Sequence, residues 1–287
     1  MRQWIEALGM AGLLALPAVA PATAADPETE PGAEVCAVCH EDLAARMRGT
    51  AHGLDAADRP SCETCHGDGS RHVEEGDPEL IRVPQGAAMS SLCLDCHRGT
   101  DHDGTTGAHG SVDVHCDSCH RVHPDSPSHG RLLVDDAAAL CASCHPGQAA
   151  SFERPFGHRL GRGGLECISC HNPHGAPGKR SLVEGRGGDG PCVSCHAEKR
   201  GPFVFTHVGG TTGDCTTCHE HHGSANPMQL TRSRVDQLCF ECHSPIAAGT
   251  VGSQPPSSHD LRSPRYRSCT TCHVAVHGSN TSPALLR

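Results

Sequence analysis

Ten times along 287 residues, a pair of cysteines separated by two residues is followed at once by a histidine. In chain order the pairs are Cys36/Cys39, Cys62/Cys65, Cys93/Cys96, Cys116/Cys119, Cys141/Cys144, Cys167/Cys170, Cys192/Cys195, Cys215/Cys218, Cys239/Cys242 and Cys269/Cys272. Their histidines are His40, His66, His97, His120, His145, His171, His196, His219, His243 and His273. All 20 cysteines are used. C-x-x-C-H is the attachment sequence of c-type haem. One helical turn puts both sulfurs on one side, where they reach the two vinyl groups, and the histidine then falls beneath the iron. Zinc knuckles also use paired cysteines, but two pairs per zinc would leave ten flanking histidines without a role. An oxidising compartment would also permit disulfides or a thioredoxin-like pair. Ten intact motifs favour haem, and ten covalently attached haem c groups, each with its iron, are expected.

The fourteen other histidines are not scattered. Numbering the motifs 1 to 10, each even motif has a histidine 7 to 10 residues before its first cysteine and another shortly after its own histidine, whereas the odd motifs have no such pair. The upstream set is His52, His109, His158, His207 and His259, and the downstream set is His72, His123, His174, His222 and His277. These ten equal the number of irons lacking a sixth ligand. The odd motifs begin at Cys36, Cys93, Cys141, Cys192 and Cys239, a period of roughly 50 residues, so the repeat is two haems long. His123, His174 and His222 stand three residues from their motif histidine, a reach of roughly 10 to 11 Å at full extension. That is too short to wrap to the opposite face of the same haem, so they are assigned to a neighbouring one; His72, six residues on, is less constrained. His102, His115, His129 and His221 remain, expected as solvated or propionate-contacting side chains, with His115 and His221 the nearest substitutes as ligands. Beyond residue 24 the only methionines are Met47, Met89 and Met228, at no repeating position. Two histidines per iron without methionine favour low reduction potentials.

The elements that must hold these ligands cannot form an ordinary core. Leu, Ile, Val and Phe number 46, fewer than one residue in six, and seven residues are aromatic. Gly and Pro number 54, which breaks long helices and long strands alike. So little apolar mass normally means disorder. Here the porphyrins supply the missing apolar surface. The expected fold is a multihaem cytochrome c, mostly coil with short helices at the C-x-x-C-H motifs, little or no sheet, and an elongated haem wire. About 26 residues per haem correspond to a compact segment with a radius of gyration of roughly 8 Å, so adjacent haems meet.

Arg2, an apolar run over residues 8–20 and the triplet Ala22, Thr23, Ala24 predict a secretory signal peptide over residues 1–24, cleaved after Ala24. The run is too short to span a membrane. Residues 25–287 then form one decahaem domain of five two-haem repeats. Its 22 basic and 32 acidic residues, with only Lys179 and Lys199 as lysines, argue against nucleic acid as a partner.

The runs CISCHNPHGAPGKRSL, CVSCHAEKRGPFVFTH, CTTCHEHHGS and CTTCHVAVHGSN, with CETCHGDGSRH near the start, resemble the MtrA/DmsE family of decahaem cytochromes c over nearly all of the mature chain. At one place the match is looser, where CTTCHEHHGS carries His221 and CISCHNPHG carries Pro173. The resemblance implies a periplasmic electron carrier, associated with the outer membrane, that enters a β-barrel porin and conducts electrons between periplasm and cell exterior. Its implied partners are that porin, a periplasmic or inner-membrane cytochrome, and often an outer-surface multihaem cytochrome or reductase. A wire of ten haems at about 8 to 10 Å per step exceeds a bilayer of about 40 to 45 Å. A soluble periplasmic shuttle or electron store shares most of these features. A multihaem oxidoreductase would need an iron with an open position, which the histidine count does not leave, and Tyr266, the single tyrosine, lies upstream of the last motif. No catalytic residue is expected.

Overall fold

The computed structural model describes residues 31–53, 60–100, 108–125, 130–161, 165–176, 179–184, 190–207, 215–243, 259 and 264–286. The expected signal peptide, His102 and His129 lie outside the described residues. Among the described residues ten short helices punctuate the chain: α1 (Ala33–Cys39), α2 (Glu41–Arg48), α3 (Cys62–His66), α4 (Ser70–Glu75), α5 (Gly86–Leu94), α6 (Cys116–Cys119), α7 (Ala137–Cys144), α8 (Pro146–Phe152), α9 (Cys192–Cys195) and α10 (Val235–Cys239). The longest of them, α5, has 9 residues. Among the described residues there is no strand, only five isolated antiparallel bridges.

Each attachment motif is one closed helical turn. The histidine N–H returns to the carbonyl of the first cysteine at 2.8 to 3.0 Å in nine motifs, from His40 to Cys36 through His273 to Cys269, and His66 closes the tenth inside α3. The two classes of motif differ in what surrounds this turn. Odd motifs 1, 3, 5 and 9 lie at the ends of longer α-helices, whereas motif 7 is the four-residue α9 alone; at His40 and His145 the backbone kinks (φ −111° and −114°) so that the same residue ends one helix and opens the next. Pro146, at the first position of α8, suits that restart because the N–H it lacks would have had no helical partner. Even motifs are single turns, three of them 3₁₀, at Cys167–Ser169, Cys215–Thr217 and Cys269–Thr271.

Side chains join the odd turn to the even turn that follows it. Gly32 N–H, before α1, donates to Glu63 Oε1 of motif 2 at 2.8 Å. Gly86 N–H, opening α5, donates to Asp117 Oδ2 of motif 4 at 2.8 Å, and Cys116 N–H donates to buried Ser90 Oγ at 3.1 Å. A carboxylate at a helix start also meets the positive end of the helix dipole. Further along, pairs of backbone bonds link distant segments: Phe156 and Ser224 exchange bonds of 3.1 and 2.7 Å, and Phe205 and Ser279 exchange bonds of 2.8 and 2.9 Å.

The centre is not packed. Among the described residues Ala44 and Pro124 are the only buried apolar side chains. Within the chain lies an interior cavity of about 4600 Å³, faced by Val35, Val73, Val83, Val112, Met228 and Phe240, all of which are exposed in the protein chain alone. Ordinary ligand pockets measure about 300 to 1,000 Å³. Such a fold cannot stand on side-chain packing. Expression without c-type cytochrome maturation should therefore yield a protease-sensitive chain with no cooperative thermal transition by circular dichroism. A compact, cooperatively melting apoprotein would contradict this reading.

Candidate haem sites

All 20 cysteines, all ten motif histidines and all ten upstream and downstream histidines line the same cavity. Its cysteines run in chain order. The first sulfur of each odd motif lies beside that of the next even motif: Cys36 with Cys62, Cys93 with Cys116, Cys141 with Cys167, Cys192 with Cys215 and Cys239 with Cys269. The next step uses the second sulfur of the even motif. Cys65 lies near Cys96, Cys119 near Cys144, Cys170 near Cys195 and Cys218 near Cys239. Each motif thus neighbours its predecessor and its successor. Burial pushes the thiols of Cys36, Cys93, Cys141 and Cys239 up to about 11, so they are uncharged and lose no ionic solvation on becoming thioethers.

Two metal–imidazole bonds of about 2 Å, with about 1 Å from nitrogen to ring centre on each side, leave facing ring centres about 6 Å apart. Nine motif histidines have such a counterpart. His72 faces His40 at 6.2 Å, His123 faces His66 at 5.9 Å, His52 faces His97 at 5.8 Å, and His174 faces His120 at 5.8 Å. His109 faces His145 at 6.3 Å, His222 faces His171 at 6.1 Å and His158 faces His196 at 6.4 Å. His277 faces His219 at 6.2 Å and His207 faces His243 at 6.1 Å. His259 and His273 line the cavity without such a ring contact among the described residues. No counterpart belongs to the motif histidine nearest it in sequence, because each is carried past that turn by the chain. Burial lowers the pKa of His123, His174, His222 and His277, helped in turn by His66, His120, His221 and Lys199, and takes His222 to about 4. Neutral imidazole is the form that ligates a metal. These residues fit a haem iron held between two histidines.

Of the remaining described histidines, His115 caps α6, and its N–H donates to Ser118 Oγ at 3.1 Å. His221 packs edge-on against His222 at 4.1 Å and its carbonyl accepts from His158 Nδ1 at 3.4 Å. The equivalent carbonyl of Pro173 accepts from His109 Nδ1 at 3.4 Å. His221 therefore takes the structural place of Pro173 while His222 takes that of His174.

Glycines follow the downstream histidines for a steric reason. Gly223 has φ +122°, and a Cβ there would sit 2.3 Å from Ser151 O; Gly278 has φ +136°, and its Cβ would strike the Phe203 ring. Motif spacing points neither to these glycines nor to the carbonyls that orient the even-motif histidines. His66, His120, His171, His219 and His273 donate Nδ1–H to the carbonyls of Arg82, Arg131, Arg180, Met228 and Ala284 at 2.7 to 3.0 Å. A signal for three of them is present in the recurrent strings RLLV, RSLV and MQLT, whose leucines Leu133, Leu182 and Leu230 bridge back to the motif histidine.

Covalent attachment turns in series, with paired imidazoles 5.8 to 6.4 Å apart, define a multihaem c-type cytochrome. Residues 109–150, 158–201 and 207–248 match the doubled CXXCH motif family. Over 267 residues the chain is 33% identical to the multiheme cytochrome MtrA of Shewanella baltica, covering 87% of this chain and 79% of that protein. It is 29% identical over 146 residues to the cytochrome c-type protein NrfB of Escherichia coli, covering 44% of this chain and 75% of that one. A third match, 25% over 185 residues, is to the high-molecular-weight cytochrome c of Nitratidesulfovibrio vulgaris, covering 61% of this chain and 31% of that one. The chain belongs to the MtrA family of multihaem cytochromes.

Each doubled-motif match runs from an upstream histidine through an even motif to the next odd motif. In this register the upstream histidine faces the odd-motif histidine of its own unit, and the downstream histidine faces the even-motif histidine of the unit before. Two outcomes test the assignment. His174→Met should raise, by something on the order of 0.1 V, the potential of the haem attached at Cys116 and Cys119, and not that at Cys167 and Cys170, because axial Met raises potentials. Gly223→Ala should displace His222 and turn one haem high-spin by paramagnetic resonance, while Gly147→Ala, which meets nothing within 4 Å, should leave the spectrum unchanged.

Proposed function

We propose that the chain carries ten haem c groups, each held by two histidines, and passes electrons along them in chain order through an outer-membrane porin. The observation that carries the reading is the single file of attachment turns, nine of them with an imidazole facing the motif histidine at 5.8 to 6.4 Å. His259 is assigned to the tenth iron by elimination, since His273 is the one motif histidine without a facing ring among the described residues. In this reading each haem supplies a one-electron centre of low potential. The chain fixes position and spacing: cysteines tether, motif histidines ligate from one side, and histidines of the same or an adjoining unit close the other. With both axial positions filled by protein, no iron is open to substrate, which makes the chain a carrier and not an enzyme.

The family relation and the predicted signal peptide support a periplasmic protein sheathed by a β-barrel. Among the described residues no helix is long and apolar enough to cross a membrane. The wire is expected to receive electrons from, or deliver them to, a periplasmic or inner-membrane cytochrome at one end and an outer-surface multihaem protein at the other. Intact-mass spectrometry should show cleavage after Ala24 and ten haem additions, and paramagnetic resonance should show only low-spin iron. Outer-membrane purification should bring a barrel protein with the cytochrome. Liposomes containing that barrel and an internal redox dye should exchange electrons with an external donor only when this cytochrome is present. Equal dye response without it would leave a soluble shuttle as the better account.

A further inference from the structure

The ten motifs divide into two electronic classes by what their histidines donate to. All five even-motif histidines give Nδ1–H to a backbone carbonyl at 2.7 to 3.0 Å. Among the described residues no odd-motif histidine does so; His196 Nδ1 lies 4.0 Å from the Glu198 carboxylate, beyond hydrogen-bond reach. The imidazoles facing motifs 5 and 7, His109 and His158, reach carbonyls only at 3.4 Å. Motif 1 is the exception on its facing side, where His72 Nδ1 meets Asp77 O at 2.9 Å.

In motifs 4, 6 and 8 the carbonyl is presented by two consecutive non-glycine residues in the left-handed region: Arg131 and Leu132 (φ 62° and 56°), Arg180 and Ser181 (62° and 48°), Met228 and Gln229 (55° and 55°). L-residues leave this region unless the surroundings hold them there. Here the motif itself is the holder. Arg121, Asn172 and Glu220 N–H each donate to the second residue of the pair at 2.7 Å, and Val134, Val183 and Thr231 N–H donate back to Cys119, Cys170 and Cys218 at 2.9 to 3.0 Å. The segment closes on its own attachment turn like a clasp, with its first carbonyl turned onto Nδ1.

We propose that these left-handed pairs are positioning residues that hold the haems of motifs 4, 6 and 8 at lower potential than those of motifs 5 and 7 between them. This rests on the bis-histidine reading above. An Nδ1–H held on a carbonyl makes the opposite ring nitrogen a stronger donor to the metal, which favours the ferric state. The middle of the wire is then corrugated, alternating lower and higher sites, instead of sloping one way. Such a profile favours neither direction of flow.

The test compares Met228→Pro with Met228→Gly in the fully matured holoprotein. Proline fixes φ at about −65° and cannot present the carbonyl. Glycine accepts the φ of 55° found at Met228 without steric cost, and neither change alters charge. In potentiometry on the haem α-band, the share of one haem should lie at higher potential in Met228→Pro, with a changed low-spin g-value for that haem, than in Met228→Gly, which loses the same side chain but keeps the carbonyl in place. Superimposable curves for the two variants would overturn the proposal. Should Met228→Pro fail to mature, the Arg131→Pro and Arg131→Gly pair reads the same contrast at motif 4. Wild-type titration decides independently: haems 4, 6 and 8, assigned by hyperfine-shifted resonances, should oxidise before 5 and 7, and the reverse order or a common potential would sink the idea. Haem number and spin state, read separately from intact mass and paramagnetic resonance, show whether a failure lies in the clasp or in the bis-histidine reading beneath it.

Discussion

The structure depends on one separation, the 5.8 to 6.4 Å between the centres of facing imidazole rings. In an ordinary domain, side chains meet side chains and the gain is apolar burial spread over many contacts. Here the pairing partners stop a metal ion's width short of each other, and the space between them is the cavity about which the backbone is laid. Metal ligation and thioether attachment take over the role that packing plays elsewhere, which is how a chain with only 46 Leu, Ile, Val and Phe side chains has an ordered shape at all. Even the sparse apolar residues, Val35 and Val83 among them, point where a porphyrin would lie and not at one another.

Much of this was legible because it is written in rare residue types at fixed spacing. The C-x-x-C-H turns, the shortness of the helices and the scarcity of sheet follow directly from cysteine spacing and from the glycine and proline content. The partnering of histidines was less accessible. Three residues of reach argued that His174 serves another motif than its own, but nothing local says that it stands opposite His120 and not His145; that depends on how consecutive turns stack. His115 and His221 show the converse difficulty. As residue types they qualify as ligands, and only the cap on α6 and the carbonyl offered to His158 reveal their structural use.

The features hardest to read were backbone ones. A carbonyl aimed at Nδ1 has no residue type of its own, and Arg131, Arg180 and Met228 share no side-chain chemistry that would group them. What they share is a positive φ, a conformation that sequence normally advertises with glycine or asparagine. Non-glycine residues occupy it here because flanking bonds to the attachment turn leave no other course. The glycines that do appear, Gly223 and Gly278, answer a different need, the close passage of one segment over another.

The register of the histidine pairs also fixes how such a chain can grow. Every internal unit keeps its upstream histidine for its own odd motif and sends its downstream histidine back by one. A copy of one such unit inserted anywhere in the interior would bring two attachment turns and two facing imidazoles, replacing the one pairing across the insertion point by two of the same kind and leaving the others as they are. Motif 1 at one end takes His72 from the first unit, and at the other His259 and His273 are left for each other. These ends behave as the caps of a repeat array. Conductor length is therefore a whole-number quantity in this architecture, set by counting units and changing in steps of two haems.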